Sequence, residues 1–141
     1  MKIRIQRVDK NLELPKFAKE SDAAFDLRSS VDLLIKPLEK AIIPSGIKIA
    51  IPEKHVGLIW DRSGMAAKHS LTTMGGVLDA GYRGEIQIVM INLGKENFQV
   101  TKGMRIAQML VQPVLNHSIE EVENLDETTR GETGLGSTGL N

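Results

Sequence analysis

The sequence predicts an all-β protein of sandwich, barrel or jelly-roll type, with one short helix and a flexible, glycine-rich C-terminal arm. Apolar residues recur at every second position through most of the chain, which is the strand period rather than the helix period. Turn formers separate these runs at short intervals. The long amphipathic segments that a parallel βαβ sheet needs between its strands are missing.

The first alternation is Ile3/Ile5, and the second, Val31/Leu33/Ile35, ends before Pro37. Ile47/Ile49/Ile51 lies between the turn formers Pro44-Ser45-Gly46 and Pro52. Val56/Leu58/Trp60 then leads into the one plausible helix, from Ser63 through Met65-Ala66-Ala67-Lys68-His69, with Ser63 placed to act as its N-cap. Ile86/Ile88/Met90 and Phe98/Val100 flank Gly94 and Asn97, and Lys102-Gly103 precedes the run from Ile106 to Val111. Residues 85–91 and 106–111 carry apolar groups on both faces, so both are expected to be strands buried on two sides. Aromatics are scarce, so Ile, Leu, Val and Met must fill the core, and further apolar burial between subunits is expected.

A chain of 141 residues is one domain's worth, here read as a body at 1–129 and an arm at 130–141. Its 18 Lys plus Arg balance 18 Asp plus Glu, leaving no net field to hold a polyanion. Stable binding to nucleic acid or an anionic membrane is therefore not expected. The absence of cysteine excludes disulfides, thiolate metal sites and a cysteine nucleophile. His55, His69 and His117 are scattered, which argues against a zinc cluster. The N-terminus alternates charged with apolar residues instead of forming the apolar core of a signal peptide. No apolar run approaches the roughly 20 residues that cross a bilayer, so the expectation is a soluble, cytoplasmic protein.

Five segments could carry chemistry. Arg62-Ser63-Gly64, at a strand-to-helix junction, is either a plain helix cap or an anion site built from a guanidinium, a hydroxyl and unpaired amides. In residues 75–84, Gly75-Gly76 permits close backbone approach, and Asp79 after apolar Val77-Leu78 could hold a water as a base. Tyr82, the only tyrosine, could lay its ring against a sugar or base, although an ordinary hairpin would use the same residues. Asp26, between Phe25 and Leu27, is either a strand-edge carboxylate or a contact for a hydrated cation. Arg105 and Gln108 lie in a strongly apolar strand, where a buried Arg calls for a carboxylate partner and Gln108 could position a water. The glycine-rich residues 130–141 cannot offset their own ordering entropy, so they are either a frayed end or an arm that orders on a phosphate ligand.

Taken in order, DAAFDL, RSG, GGVLDAGYRGEI, GMRIAQMLV and RGETGLGSTG resemble the five signature motifs of the trimeric deoxyuridine triphosphatase family, over residues 22–139. The resemblance implies a jelly-roll β-sandwich and a homotrimer with shared active sites. It also implies magnesium-dependent hydrolysis of dUTP to dUMP and pyrophosphate, which limits uracil in DNA and supplies dUMP for thymidylate synthesis. By the same matching Asp79 activates the attacking water, with Gln108 beside it, and Asp26 reaches Mg2+ through water, the ion being otherwise held by the substrate phosphates. Gly76, Val77 and Leu78 belong to the hairpin that reads uracil, Tyr82 packs under the deoxyribose, and Gln87 joins the substrate-binding set. Arg62, Ser63 and Gly64 contact phosphates, while Arg130, Gly136, Ser137 and Thr138 close over another subunit's site.

Three positions depart from the family pattern. Asp61 replaces a common Pro, Thr73 stands where some bacterial members carry an Asn touching the base, and Leu135 replaces a Phe that stacks on uracil. Loss of that ring forfeits roughly 1 to 3 kcal/mol of stacking, which predicts a weaker lid. The alternatives are a dCTP deaminase-like enzyme on a similar fold, for which no Glu base is evident, and a catalytically weak nucleotide-binding module, which would not need Asp79.

Overall fold

A computed structural model describes residues 2–139. The strands are β1 (Arg4–Arg7), β2 (Phe25–Arg28), β3 (Leu33–Ile35), β4 (Lys40–Ala50) and β5 (His55–Asp61), followed by helix α1 (Ser63–His69). Then come β6 (Leu71–Met74), β7 (Val77–Leu78), β8 (Glu85–Asn92), β9 (Phe98–Val100) and β10 (Arg105–Pro113). They form one four-stranded sheet in the order β1-β4-β8-β6, a second in the order β2-β10-β5-β7, and a β3-β9 ribbon. All the pairings are antiparallel.

The period-two pattern holds because one face of each long strand turns to a shared core. Along β8, Ile86, Ile88, Met90 and Asn92 are buried, and Ile43, Ile47 and Ile49 of β4 and Ile106, Ala107 and Met109 of β10 join them. Each fully buried aliphatic side chain contributes about 1.5 to 3 kcal/mol relative to exposure. Asn92 is tolerated there because its Nδ2 donates to the carbonyls of Ile35 (2.9 Å) and Glu96 (2.8 Å), and its Oδ1 accepts from Gly94 N (2.9 Å). The expectation that β8 and β10 are buried on both faces is only half met. Val89, Ile91, Leu110 and Val111 are partly exposed, and Gln87 is exposed.

Two further expectations are corrected. Pro44-Ser45-Gly46 is not a turn between strands. It lies inside β4, where the register with β8 shifts between Pro44 and Lys48, and Gly46 at φ 73° takes the left-handed conformation. Nor is Ser63 the N-cap: Arg62 holds that position with extended backbone and no side-chain cap bond, and Ser63 is the first helical residue. The helix is anchored by buried Met65 and stops at Ser70, which adopts φ 54°.

The exposed tail starts well before residue 130. Every residue from Leu115 to Gly139 is exposed, and among the described residues this stretch has no strand or helix. The last two residues of the expected arm, like Met1 of the body, lie outside the described residues. Among the described residues no helix is long and apolar enough to cross a membrane.

Candidate active site

Strand β10 lies between β2 and β5, and this order assembles the first group of expected residues. Gln108 faces Asp26 on one side and Trp60 on the other, and Ala107 faces Asp61. The chain leaves β5 at Asp61, so Arg62, Ser63 and Gly64 start α1 beside the same strand ends. Asp26, Arg62, Ser63, Gly64, Lys68 and Gln108 border a hollow of about 360 Å³. The first turn of a helix has amides without an intrahelical partner, so Ser63 and Gly64 can offer both N–H groups and a hydroxyl.

Ion pairs fix this group. Arg62 Nε donates to Asp26 Oδ1 at 2.8 Å, and Arg62 Nη1 donates to the Arg105 carbonyl at 3.1 Å. Arg105 Nη1 reaches Asp26 Oδ2 at 3.2 Å. The carboxylate partner expected for Arg105 is therefore present, but Arg105 is half-exposed rather than buried, because it sits at the end of β10. Asp26 thus bridges two guanidinium groups, of which that of Arg62 borders the hollow.

Two positions carry more than their sequence context suggested. Asp61 accepts from Thr72 Oγ1 (2.8 Å), Thr73 N (2.6 Å) and Thr73 Oγ1 (2.8 Å), and its carbonyl accepts from Gln108 Nε2 (2.7 Å). Thr73 is accordingly tied to Asp61. Lys68 joins the hollow because it stands one helical turn beyond Gly64, an i,i+4 relation readable from the sequence.

The second group lies in the hairpin after β6. Gly75 and Gly76 have φ 70° and 97°, and a Cβ on Gly76 would stand 2.7 Å from the Ile59 carbonyl oxygen, so only glycine fits there. Ile59 N donates to Gly76 O at 2.8 Å, which docks the hairpin on β5. Val77 is exposed and Leu78 packs against the core. Asp79 is exposed, and among the described residues nothing bonds its carboxylate. Tyr82 N donates to the Asp79 carbonyl (3.0 Å), Tyr82 Oη donates to the Glu85 carbonyl (2.9 Å), and the residue is 43% exposed.

The third group is the tail. Arg130 Nε donates to the Thr133 carbonyl (3.0 Å), and Ser137 N donates to the Gly134 carbonyl (3.0 Å). Leu135 and Gly136, at φ 47° and 82°, are exposed. Among the described residues, the hydrogen bonds of 130–139 run only within the tail.

The three groups do not meet within one chain. Leu78 faces Gly57, so Asp79 stands level with Val56, at the opposite end of β5 from Arg62. At the rise of an extended strand this separates Asp79 from Arg62 by about 20 Å. Among the described residues no three His, Asp or Glu converge on a metal position. The one carboxylate at the hollow, Asp26, is already paired with two guanidinium groups, so a cation there would have to keep its own waters and be held mainly by phosphates, as Mg2+ commonly is.

Fold and site together define a jelly-roll β-sandwich with a cationic site at the ends of its strands. The dUTPase family profile matches residues 10–139, and the chain belongs to that family. A deoxyuridine 5'-triphosphate nucleotidohydrolase of Clostridium novyi is 46% identical over 142 residues, spanning 99% of this chain and 100% of its own. The mitochondrial human protein of that name is 43% identical, over 100% of this chain and 56% of its own. Among solved structures, the Staphylococcus bacteriophage 80alpha dUTPase with dUpNHpp matches at TM-score 0.92 and 28% identity, covering 99% of each chain. A mutant dUTPase of S. aureus phage phi11, described with a structural Mg(II) ion, matches at TM-score 0.83 and 25% identity over 88% of this chain and 98% of its own.

Proposed function

We propose that this protein hydrolyses dUTP to dUMP and pyrophosphate, in a homotrimer whose sites each draw on different copies. The carrying observation is the 46% identity, over essentially the full length, to a relative named for that reaction. The arrangement of residues supplies the reason for shared sites. Three groups that one chain keeps apart come together when copies related by a threefold axis each lend one group to each site.

In this reading Arg62, the Ser63 hydroxyl and the first helical amides hold the phosphates of one copy's site. The hairpin of a second copy brings Gly76, Val77 and Leu78 to the base through backbone groups, with Gln87 nearby and Tyr82 under the sugar, where its ring leaves no room for a ribose 2′-hydroxyl. Arg130, Leu135, Gly136, Ser137 and Thr138 of the tail cover the phosphates and the base, with Leu135 excluding water without stacking. Residues 1–129 act as the body and 130–141 as the arm.

Asp79 orients a water and accepts its proton as the water oxygen bonds to the α-phosphorus. The bond from that phosphorus to the α,β-bridging oxygen breaks, and pyrophosphate leaves with the electron pair. Gln108 holds the water in line. Mg2+ supplies charge neutralisation when bound to the triphosphate, and Asp26 is the residue that would reach it through water. The remaining burden is positioning and charge compensation, which Arg62 and Arg130 share.

Phosphorus NMR of protein incubated with dUTP and magnesium tests this directly. Equal growth of dUMP and pyrophosphate signals is expected, with dCTP left intact. Release of single phosphate, or no turnover, refutes the reading.

A further inference from the structure

We propose that Asp61 is a positioning residue for this reaction: it pins the phosphate-holding turn and sets the orientation of Gln108. The inference rests on the dUTP-hydrolysing reading of the hollow and adds to it a residue outside the contacts assigned there. Asp61 is the last residue of β5, immediately before Arg62-Ser63-Gly64. Its carboxylate is used on both oxygens, Oδ2 by Thr72 Oγ1 at 2.8 Å and Oδ1 by Thr73 N at 2.6 Å and Thr73 Oγ1 at 2.8 Å. Three bonds from β6 therefore converge on one side chain of the neighbouring sheet. Hydrogen bonds to an ionised acceptor are short and about twice as strong as neutral ones, so they fix where β5 ends.

The consequence for the site runs through the backbone. The Asp61 carbonyl accepts from Gln108 Nε2 at 2.7 Å. A carbonyl oxygen can only accept, so the Gln108 nitrogen must face it and Oε1 must point elsewhere, as the acceptor that a water needs. One residue on, Arg62 is held by Asp26 and by the Arg105 carbonyl. The turn is thus pinned twice, from β6 through Asp61 and from β2 and β10 through Arg62. Without the first pin, the Asp61 carbonyl and the Arg62 guanidinium move together, and both the water and the phosphates lose their reference. A displacement of about 1 Å at such a site costs up to about a hundredfold in rate.

The test compares Asp61→Ala, Asp61→Asn and the Thr72→Val/Thr73→Val pair with the parent, as full-length protein. The readouts are kcat and KM for dUTP, calorimetric affinity for inorganic pyrophosphate, and thermal melting. Asp61→Asn keeps an oxygen acceptor for Thr73 and turns the Thr72 contact round, so the amide donates to that hydroxyl. It should stay within about threefold of the parent, whereas Asp61→Ala should lower kcat and raise KM, each about tenfold or more. The Thr pair should follow Asp61→Ala, and combining the two should add little, because both break one network.

A purely structural Asp61 would lower the melting temperature while leaving kcat, KM and pyrophosphate affinity of the folded protein at parental values, and that result overturns the proposal. So does an Asn variant as impaired as the Ala variant. Should Asp61→Ala fail to fold, Thr72→Val, which removes a single bond, carries the same comparison. A parent that does not turn over dUTP refutes the proposed activity instead, and pyrophosphate affinity then decides the role of Asp61.

Discussion

Replacing Gly84 by Ala is the most selective way to ask whether Tyr82 excludes a ribose. Gly84 is not among the residues with positive φ, so its backbone accepts an alanine without conformational strain. The new methyl, however, would overlap Tyr82 Oη and stand 2.6 Å from Cζ and 3.0 Å from Cε2. The obstacle is the far end of a half-exposed side chain, so the ring swings aside and the fold stays. What is lost locally is the bond from Tyr82 Oη to the Glu85 carbonyl, worth about 1 kcal/mol net, or a melting shift of a few degrees. What is lost functionally is the wall against the 2′-hydroxyl. Because steric exclusion is the only barrier proposed there, the ratio of kcat/KM for UTP to that for dUTP should rise about tenfold, equivalent to about 1.4 kcal/mol. Steady-state assays on both nucleotides, with scanning fluorimetry on the same samples, measure the two effects separately. Tyr82→Phe is the control, since it keeps the ring and should keep the discrimination. An unchanged UTP to dUTP ratio in Gly84→Ala, with the melting shift present, would remove Tyr82 from sugar selection.

Three further outcomes follow from the same geometry. Asp79→Asn should retain nucleotide affinity by calorimetry while kcat falls by about 10² to 10⁴, the usual worth of a general base; parental kcat takes Asp79 out of the mechanism. Truncation after Thr129 should abolish most turnover and leave the melting temperature unchanged, because every described residue of the removed tail is exposed; an active truncated protein contradicts the lid. Elsewhere, the Lys102 ammonium bonded to Asp9, with help from the Asn11 amide, holds the Asp9 carboxyl below its ordinary value of 3.8. A depressed folded-state value contributes stability above the unfolded pKa and loses it as pH falls through the folded one. Asp9→Asn should therefore lower the melting temperature slightly at neutrality, flatten its profile below about pH 4 and converge on the parent in stronger acid.

The sequence revealed strands where a buried face enforced alternation over several residues, as in β4, β5 and β8, and revealed β10 by its nearly unbroken apolar run. It was silent on β6, Leu71–Met74, where only Leu71 is buried, and on the two-residue β7, because neither is long enough to show a period. Pro44-Ser45-Gly46 read as a turn because a bulge recruits the same residue types, and only its partner strand distinguishes the two. Motif order named Asp26, Arg62, Asp79 and Arg130 but held no distances, so it could not reveal that Asp26 bridges two arginines or that Asp79 stands at the far end of β5. Asp61 was noticed only as a departure from pattern. Its partners Thr72 and Thr73 are set by how β6 comes to lie beside β5, which no local spacing encodes.

The separation of the three groups makes a quantitative demand on the assembly. If each site takes Asp79 from one copy and its tail from another, two inactive proteins can repair each other. One is Asp79→Asn with an intact tail; the other keeps Asp79 but ends after Thr129. In trimers assembled at random from equal amounts, a given site draws Asp79 from the truncated type with probability one half and its tail from the Asn type with probability one half. About a quarter of all sites should therefore be complete. If one chain supplied both groups to the same site, every site would lack one of them and the mixture would stay inactive. Co-expression with separable tags, or refolding of the mixed chains, followed by a dUTP assay, distinguishes about 25% recovery from none. The tail supports the first outcome, since Leu115 to Gly139 make up an exposed stretch long enough to leave its own sandwich, and its described hydrogen bonds beyond residue 129 are all internal.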